Sequence, residues 1–160
     1  MQPAETGLSH IASTGEAVMV DVSEKPVTRR MAVAEGYVVM APRTLELLLA
    51  GNLPKGEALN TARIAGILAA KKTGELIPLC HPLPLEHVQI DFEAQRPDRI
   101  RIEARASISA KTGIEMEALT AVAVAALTIV DMTKAVDKML TITGVRVIEK
   151  TGGKSNLKRA

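Results

Sequence analysis

Asp131 and Lys134 stand three apart at the end of a long apolar stretch, so a helix carrying them presents both on nearly one face. The plain reading is an ion pair at a helix end. The chemical reading is a proton relay: desolvation at a buried helix end makes a lysine yield its proton more readily, and the carboxylate fixes the ammonium in place. His81 lies in Pro78-Leu79-Cys80-His81-Pro82, where the prolines take freedom from the backbone and hold the ring where it is set. Simple packing in a connecting loop is the alternative. Cys80, His81 and His87 lack the spacings of a zinc ligand set, so no protein-borne metal site is expected. Glu115 and Glu117, two apart at a helix start, answer the positive end of its dipole and face different ways, so only one of them reaches a given ligand.

Near the C-terminus, Thr151-Gly-Gly-Lys-Ser155 looks like the end of a Walker A loop, but the glycine needed five places before Gly153 is Ile148, and no helix follows. What remains is a glycine pair beside Lys154, with Lys150, Lys158 and Arg159 nearby. Such a segment either wraps phosphate with backbone N–H groups and ammonium charge or is a solvated basic tail. Lys55 in the turn Pro54-Lys55-Gly56 and Arg30 in Thr28-Arg29-Arg30-Met31 are, taken singly, surface charges.

A scaffold must bring these groups together. The first fifteen or so residues show no period and read as a mobile N-terminus. From Ala17, AVMVDVSEK and then MAVAEGYVVM alternate apolar and other residues and are rich in valine, so both read as strands. Pro42 opens a short helix that Gly51 stops, and Pro54 and Gly56 shape the turn after it. Glu57 to Lys72 has helical spacing, with Ala62, Ala65, Gly66 and Ala69 as a face for close packing. HVQIDFEA and RIRIEARASI flank Arg96-Pro97-Asp98 as an antiparallel hairpin. Thr112 and Glu115 form a capping-box pattern ahead of a helix that is apolar almost all round, and MLTITGVRVIE is a last strand before a flexible basic tail at about 150–160. This order predicts one α+β domain over the 160 residues, ferredoxin-like, mainly antiparallel, with helices on one face of the sheet. The surplus apolar surface of the last helix calls for burial against a second copy.

Composition narrows the function. Twenty basic residues against 18 acidic leave a net charge of +2, too little to argue for nucleic acid or an anionic membrane as partner. The lone Cys80 and a start lacking a basic, then apolar, leader suit a cytoplasmic protein. The uncharged run Ala118 to Val130 is shorter than the roughly 20 residues a membrane helix needs.

Five blocks in order, VDVSEK, LNTARIAGILAAKKT, LIPLCHPL, KTGIEMEALTAVAVAALTIVDMTKAV and TGGKS, resemble the molybdenum cofactor biosynthesis protein C family, the cyclic pyranopterin monophosphate synthases. The resemblance runs from about Ser9 to Lys154. It implies a ferredoxin-like subunit in a hexamer, a trimer of dimers with sites at dimer interfaces. The implied lyase reaction converts 3′,8-cyclo-7,8-dihydroguanosine 5′-triphosphate, a GTP derivative, to cyclic pyranopterin monophosphate and pyrophosphate, a step in molybdopterin biosynthesis. Carried over position by position, Asp131 and Lys134 are catalytic with Lys55 assisting. Leu79, Cys80, His81, Met116 and Glu117 then line the substrate pocket, and Arg30, Lys111, Glu115 and Lys154 are further contacts.

The implied reaction needs several proton transfers and no net redox change, so acid–base side chains suffice without a protein-bound cofactor; Mg²⁺ can accompany the triphosphate. The competing reading is a non-catalytic RNA- or nucleotide-binding module of the same fold, or a scaffold. Single-strand readers stack bases on aromatics, and this chain offers only Tyr37 and Phe92.

Overall fold

The computed structural model describes residues 11–160. The elements run β1 (Thr28–Val39), α1 (Pro42–Leu49), α2 (Ala58–Lys71), α3 (Thr73–Leu76), β2 (His87–Gln95), β3 (Arg99–Ala110), α4 (Glu115–Thr133), β4 (Thr141–Thr151) and β5 (Leu157–Lys158). The strands form one antiparallel sheet in the order β2-β3-β1-β4-β5. Its first four strands have the ferredoxin-like arrangement, in which two strand–helix–strand units interleave, and the fold is α+β as the sequence predicts.

Alternation sorts the sheet into two faces. In β3, Ile100, Ile102, Ala104, Ala106 and Ile108 are buried toward the helices, whereas Arg101, Glu103 and Arg105 join in ion pairs on the other side. The same face of β1 carries Glu35, paired with Arg101 at 2.9 Å and Arg146 at 2.8 Å. Burial acts to raise the pKa of Glu35, but hydrogen bonds from the two guanidiniums outweigh it and leave the carboxyl below its ordinary value. The open face is therefore a mesh of charge pairs, with Tyr37 donating to Glu35 rather than standing free as a stacking surface.

On the covered face, α4 lies so near β1 that a Cβ at Gly36 would stand 2.7 Å from Val122 Cγ1. Against α2 it packs just as tightly, for a Cβ at Gly66 would stand 2.8 Å from the Ala121 carbonyl oxygen. Ala62, Gly66, Ala69 and Ala70 form the buried stripe of α2; Ala65, expected on it, is only half-buried because it lies to one side. By length and composition α4 could cross a bilayer, yet half of its apolar window is buried within this fold, between sheet and α2.

Four expectations need correction. Residues 17–25 form no strand: β1 is already paired on both edges, by β3 and β4, and no free edge is left beside it. Their alternation has another origin, since Val20 and Val22 turn toward a cavity and Asp21 toward water. The capping box fails as well. Ile114 is the N-cap of α4 and makes no side-chain cap, so Glu115 falls in the first helical position instead of the third. Side-chain capping is found at α2, where Glu57 accepts from the N–H groups of Leu59 and Asn60. The segment read as a flexible tail is structured in part: β4 extends to Thr151, and Leu157–Lys158 returns to pair with Lys150 and Glu149. Lastly, residues 73–76, given no element by the sequence, form the short α3 ahead of the prolines around His81. The mobile N-terminus was expected over residues 1–15, most of which lie outside the described residues; 11–17 close a turn through an Ile11–Ala17 bridge.

Close helix approach at Gly66 has a measurable consequence. Gly66→Val should lower stability by about 2 kcal/mol or more, because overpacking against the Ala121 backbone exceeds the small helix-propensity gain. A denaturant midpoint unchanged from the parent would show that the α2–α4 contact is loose.

Candidate functional site

The sequence-predicted residues fall into two groups at opposite ends of α4. All nine expected to contact substrate line one cavity of about 780 Å³: Arg30, Leu79, Cys80, His81, Lys111, Glu115, Met116, Glu117 and Lys154. The three expected to be catalytic do not. Lys55, Asp131 and Lys134 form their own cluster, with Asp131 accepting from Lys55 Nζ at 2.8 Å and pairing with Lys134 Nζ at 2.6 Å. Fourteen residues of helix between Glu117 and Asp131 correspond to about 21 Å.

The cavity is assembled from five segments. Strand β1 enters with Arg30, whose guanidinium donates to the carbonyls of Ala110 and Lys111 at 3.2 Å each and so ties β1 to the exit of β3. The loop after α3 supplies Leu79, Cys80 and His81, and the start of α4 supplies Glu115, Met116 and Glu117. From the end of β4 come Lys150 and the loop Thr151–Ser155, with Gly152 and Gly153 at φ +89° and +77°. A side chain at Gly153 would collide with the Arg30 guanidinium, so glycine lets the turn sit against that charge. The fifth segment, Val20 to Pro26, lines the cavity with Val20, Val22, Lys25 and Pro26. It is held by His81 and Lys111. His81 Nε2 lies 2.7 Å from the Val20 carbonyl oxygen, which can only accept, so this nitrogen carries the hydrogen. Lys111 Nζ donates to the Ser23 carbonyl at 2.7 Å.

Charge in the cavity is strongly cationic. Lys25, Arg30, Lys111, Lys150 and Lys154 face two carboxylates, Glu115 and Glu117. The two glutamates have been driven apart. Burial acts to raise the Glu115 carboxyl, but the hydrogen bond from Lys150 at 2.8 Å prevails and holds it below its usual value. Glu117, only 3% exposed, has no cation partner, and burial, with a smaller contribution from the Glu115 charge, lifts its pKa to about 6. Two carboxyls so separated can serve one as a fixed charge and the other as a proton donor. Burial and the Glu117 charge also raise the Cys80 thiol, keeping it a neutral contact and not a thiolate nucleophile.

At the other end of α4 the environment is different. The side chains of Lys55, Asp131 and Lys134 are 42%, 54% and 60% exposed. The buried helix end expected around Lys134 is therefore absent from the single chain. Hydrogen bonds from Lys134 and then Lys55 bring the Asp131 carboxyl down to about 2. Among the described residues, no cluster of three or more His, Cys, Asp or Glu side chains is placed to hold a metal ion.

Two cavity cations were missed as site residues from the sequence. Lys150 was counted only with the tail, and its pairing with Glu115 depends on where β4 ends. Lys25 lay inside VDVSEK, a motif whose presence was noticed and whose individual residues gave no sign of facing a cavity.

Glu117 carries a stability cost that can be read out. Its folded pKa lies above the ordinary 4.5, so the folded state binds the extra proton and stability falls as pH rises from about 4.5 through about 6. Glu117→Gln should remove that dependence and stabilise the ligand-free protein at pH 7–8 by about 1–2 kcal/mol. Thermal melts of both proteins across pH 4–8 check it; parallel curves would show Glu117 to be ordinarily solvated.

The family model described as MoaC family matches residues 19–153. A protein of Pelotomaculum thermopropionicum is 56% identical over 156 residues, covering 95% of this chain and 90% of its own length. One of Corynebacterium efficiens is 57% identical over 148 residues, 92% of this chain and 95% of its own. One of Thermomicrobium roseum is 56% identical over 149 residues, 92% and 90% respectively. Each of the three is named cyclic pyranopterin monophosphate synthase. The matched span includes every segment that builds the cavity apart from its last residues, together with the Lys55, Asp131 and Lys134 cluster, and on that match the chain belongs to the MoaC family.

Proposed function

We infer that the chain is a cyclic pyranopterin monophosphate synthase, a lyase of molybdenum cofactor biosynthesis that converts 3′,8-cyclo-7,8-dihydroguanosine 5′-triphosphate to cyclic pyranopterin monophosphate and pyrophosphate. The observation that carries the reading is the cavity: five cationic side chains and a glycine turn line it together with a loop histidine and a buried, raised carboxyl. A triphosphate linked to a guanine-derived ring needs both. Lys154, Arg30, Lys25 and the Gly152–Gly153 turn bind phosphate oxygens, supported by the free N–H groups at the start of α4. His81, Glu117 and Leu79–Cys80 receive the ring.

Ring opening and rebuilding move protons without changing oxidation level, and a lysine beside a carboxylate is suited to that work. We assign Lys134, positioned by Asp131, as the principal general acid/base, with Lys55 contacting triphosphate oxygens. Closure of the cyclic phosphate then follows as a sugar hydroxyl attacks the α-phosphorus and pyrophosphate leaves, while the surrounding ammonium and guanidinium groups take up the charge gathering on it. Mg²⁺, where it takes part, accompanies the triphosphate. The protein acts in the cytoplasm on this small molecule, without nucleic acid or membrane.

A span of about 21 Å along one helix keeps Lys134 of a chain from its own cavity, so the complete site takes its cavity from one copy and its Lys55, Asp131 and Lys134 from another. This is the arrangement of a hexamer built as a trimer of dimers, and exposed Ile64, Leu68 and Leu127 on the outer sides of α2 and α4 supply apolar surface for assembly.

Two experiments follow. Purified protein incubated with the cyclised triphosphate should release pyrophosphate and yield a pterin that fluoresces after oxidation; Lys134→Ala, folded and assembled as the parent, should lose about 10²- to 10⁴-fold in turnover. Near-parental turnover refutes the assignment. Lys134→Ala and Glu117→Gln, each impaired alone, should regain about a quarter of the parental sites when unfolded together and co-refolded, since mixed dimers hold one intact site. Absence of any recovery from confirmed mixed assemblies would place the whole site in one chain.

A further inference from the structure

Lys55, Asp131 and Lys134 are held to one another only by exposed charge pairs. Pairs of that kind are weak in water, and each lysine hangs on a flexible four-carbon stem, so the ammonium groups do not locate one another. Their location must come from the backbone segments beneath them. Lys134 is the C-cap of α4 and starts the segment that leads to β4; Lys55 lies in the turn that follows α1. The segment after α4 and the start of the helix that leads to the Lys55 turn belong to different parts of the chain and meet at one side chain.

That side chain is Asp137. Its Oδ2 accepts from the Ala41 N–H and from the Thr44 hydroxyl, both at 2.9 Å, and its Oδ1 accepts from the Met139 N–H at 2.9 Å. The position is fitted to a vacancy in α1. Ala41, the N-cap, has no side-chain oxygen to offer, and Pro42 behind it has no N–H. Asp137 therefore caps α1 from a distant part of the chain, with its negative charge at the positive end of that helix. Thr44 is 4% exposed, so the bond to its hydroxyl is shielded. On the other side, Asp137 N–H and Val136 N–H both donate to the Thr133 carbonyl, which fixes Asp137 to the last turn of α4. The connection runs without a gap from α4 and Lys134 through Asp137 to the start of α1, then along α1 to the turn holding Lys55.

We propose that Asp137 is a positioning residue for the catalytic cluster: by clamping the segment after α4 onto the N-terminus of α1, it sets Lys134 and Lys55 on either side of Asp131. The inference rests on the assignment of these three residues to catalysis, and it places no atom of Asp137 on the substrate.

The test uses the full chain as Asp137→Ala, Asp137→Asn and Thr44→Val. The first readout needs no substrate. Carboxyl-carbon NMR should find Asp131 titrating near 2 in the parent and higher, toward the ordinary aspartate range, in Asp137→Ala, because the two lysines no longer converge on it. A residue that merely adds stability lowers the melting temperature and leaves that titration in place. The second readout is turnover of the cyclised triphosphate well below each melting temperature, where kcat should fall about 10–100-fold in Asp137→Ala through misplacement of the reacting groups. Asp137→Asn, which keeps one acceptor oxygen, should recover part of the loss. If Asp137→Ala does not fold, Asp137→Asn and Thr44→Val decide the matter, each expected to lower kcat and raise the Asp131 midpoint to a smaller degree. Parental kcat and parental Asp131 titration in the folded variants overturn the proposal. A parent that never turns over the triphosphate overturns the assigned reaction instead, and the Asp131 titration still judges the clamp.

Discussion

How near α4 can lie to β1 and α2 determines almost everything else in this molecule. Alanine and glycine line both contacts, Gly36 against Val122 and Gly66 against Ala121, and no larger residue fits without displacing backbone or buried methyl groups. A core with one Phe, one Tyr and no Trp cannot hold its layers apart with large rings, so it gains contact by bringing backbones close. The consequence is a long helix, packed closely against sheet and α2, with a chemical group at each end. Its N-terminus places Glu115 and Glu117 in a cavity, and its C-terminus places Asp131 and Lys134 on the surface. No rotamer change or loop motion shortens the distance between those ends.

Four carboxylates show how far surroundings decide what one functional group does. Glu35 and Glu115 both suffer desolvation, yet both stay ionised because arginine or lysine hydrogen bonds outweigh it. Asp131 lies in water and is held low by two ammonium groups. Glu117 alone is buried with no cation in contact, and it alone moves upward. In a cavity holding five cationic side chains, such isolation follows from distribution: Lys150 is spent on Glu115, Lys111 on the Ser23 carbonyl and Arg30 on the carbonyls at the end of β3. The protein has thus kept one acid with its pKa raised to about 6 beside cations whose contact would lower it.

Much of this was legible in the sequence, for reasons that particular residues make plain. The hairpin of β2 and β3 and helix α2 announce themselves because each buries one face, and periodicity records burial, whereas β1 is marked by its valines and α4 by its long uncharged run. The cavity-lining residues were legible through family motifs, since a histidine between prolines or a glutamate at a helix start has no unique meaning alone. Residues 17–25 misled because alternation records any two-sided environment; Val20 and Val22 face a cavity where a strand would face a core. Thr112 and Glu115 misled because a capping box is a spacing, and Lys150, which claims the glutamate, lies 35 residues away. Asp137 left no trace at all, for its partners Ala41 and Thr44 stand more than 90 residues earlier.

The exposed state of Lys55, Asp131 and Lys134 fits the division of labour between the ends of α4. Were these charges buried within one chain, each copy would bear their desolvation before any partner or substrate arrived. On the surface they remain solvated, and in the proposed clamp the bonds of Asp137 to the Ala41 N–H and the Thr44 hydroxyl hold them in register. In the proposed shared site, cover by a second copy and a triphosphate removes that water, and each interaction strengthens as the local dielectric falls. On the proposed reading, the full field appears only where cavity, cluster and substrate coincide, and acid–base power arises on assembly with substrate in place.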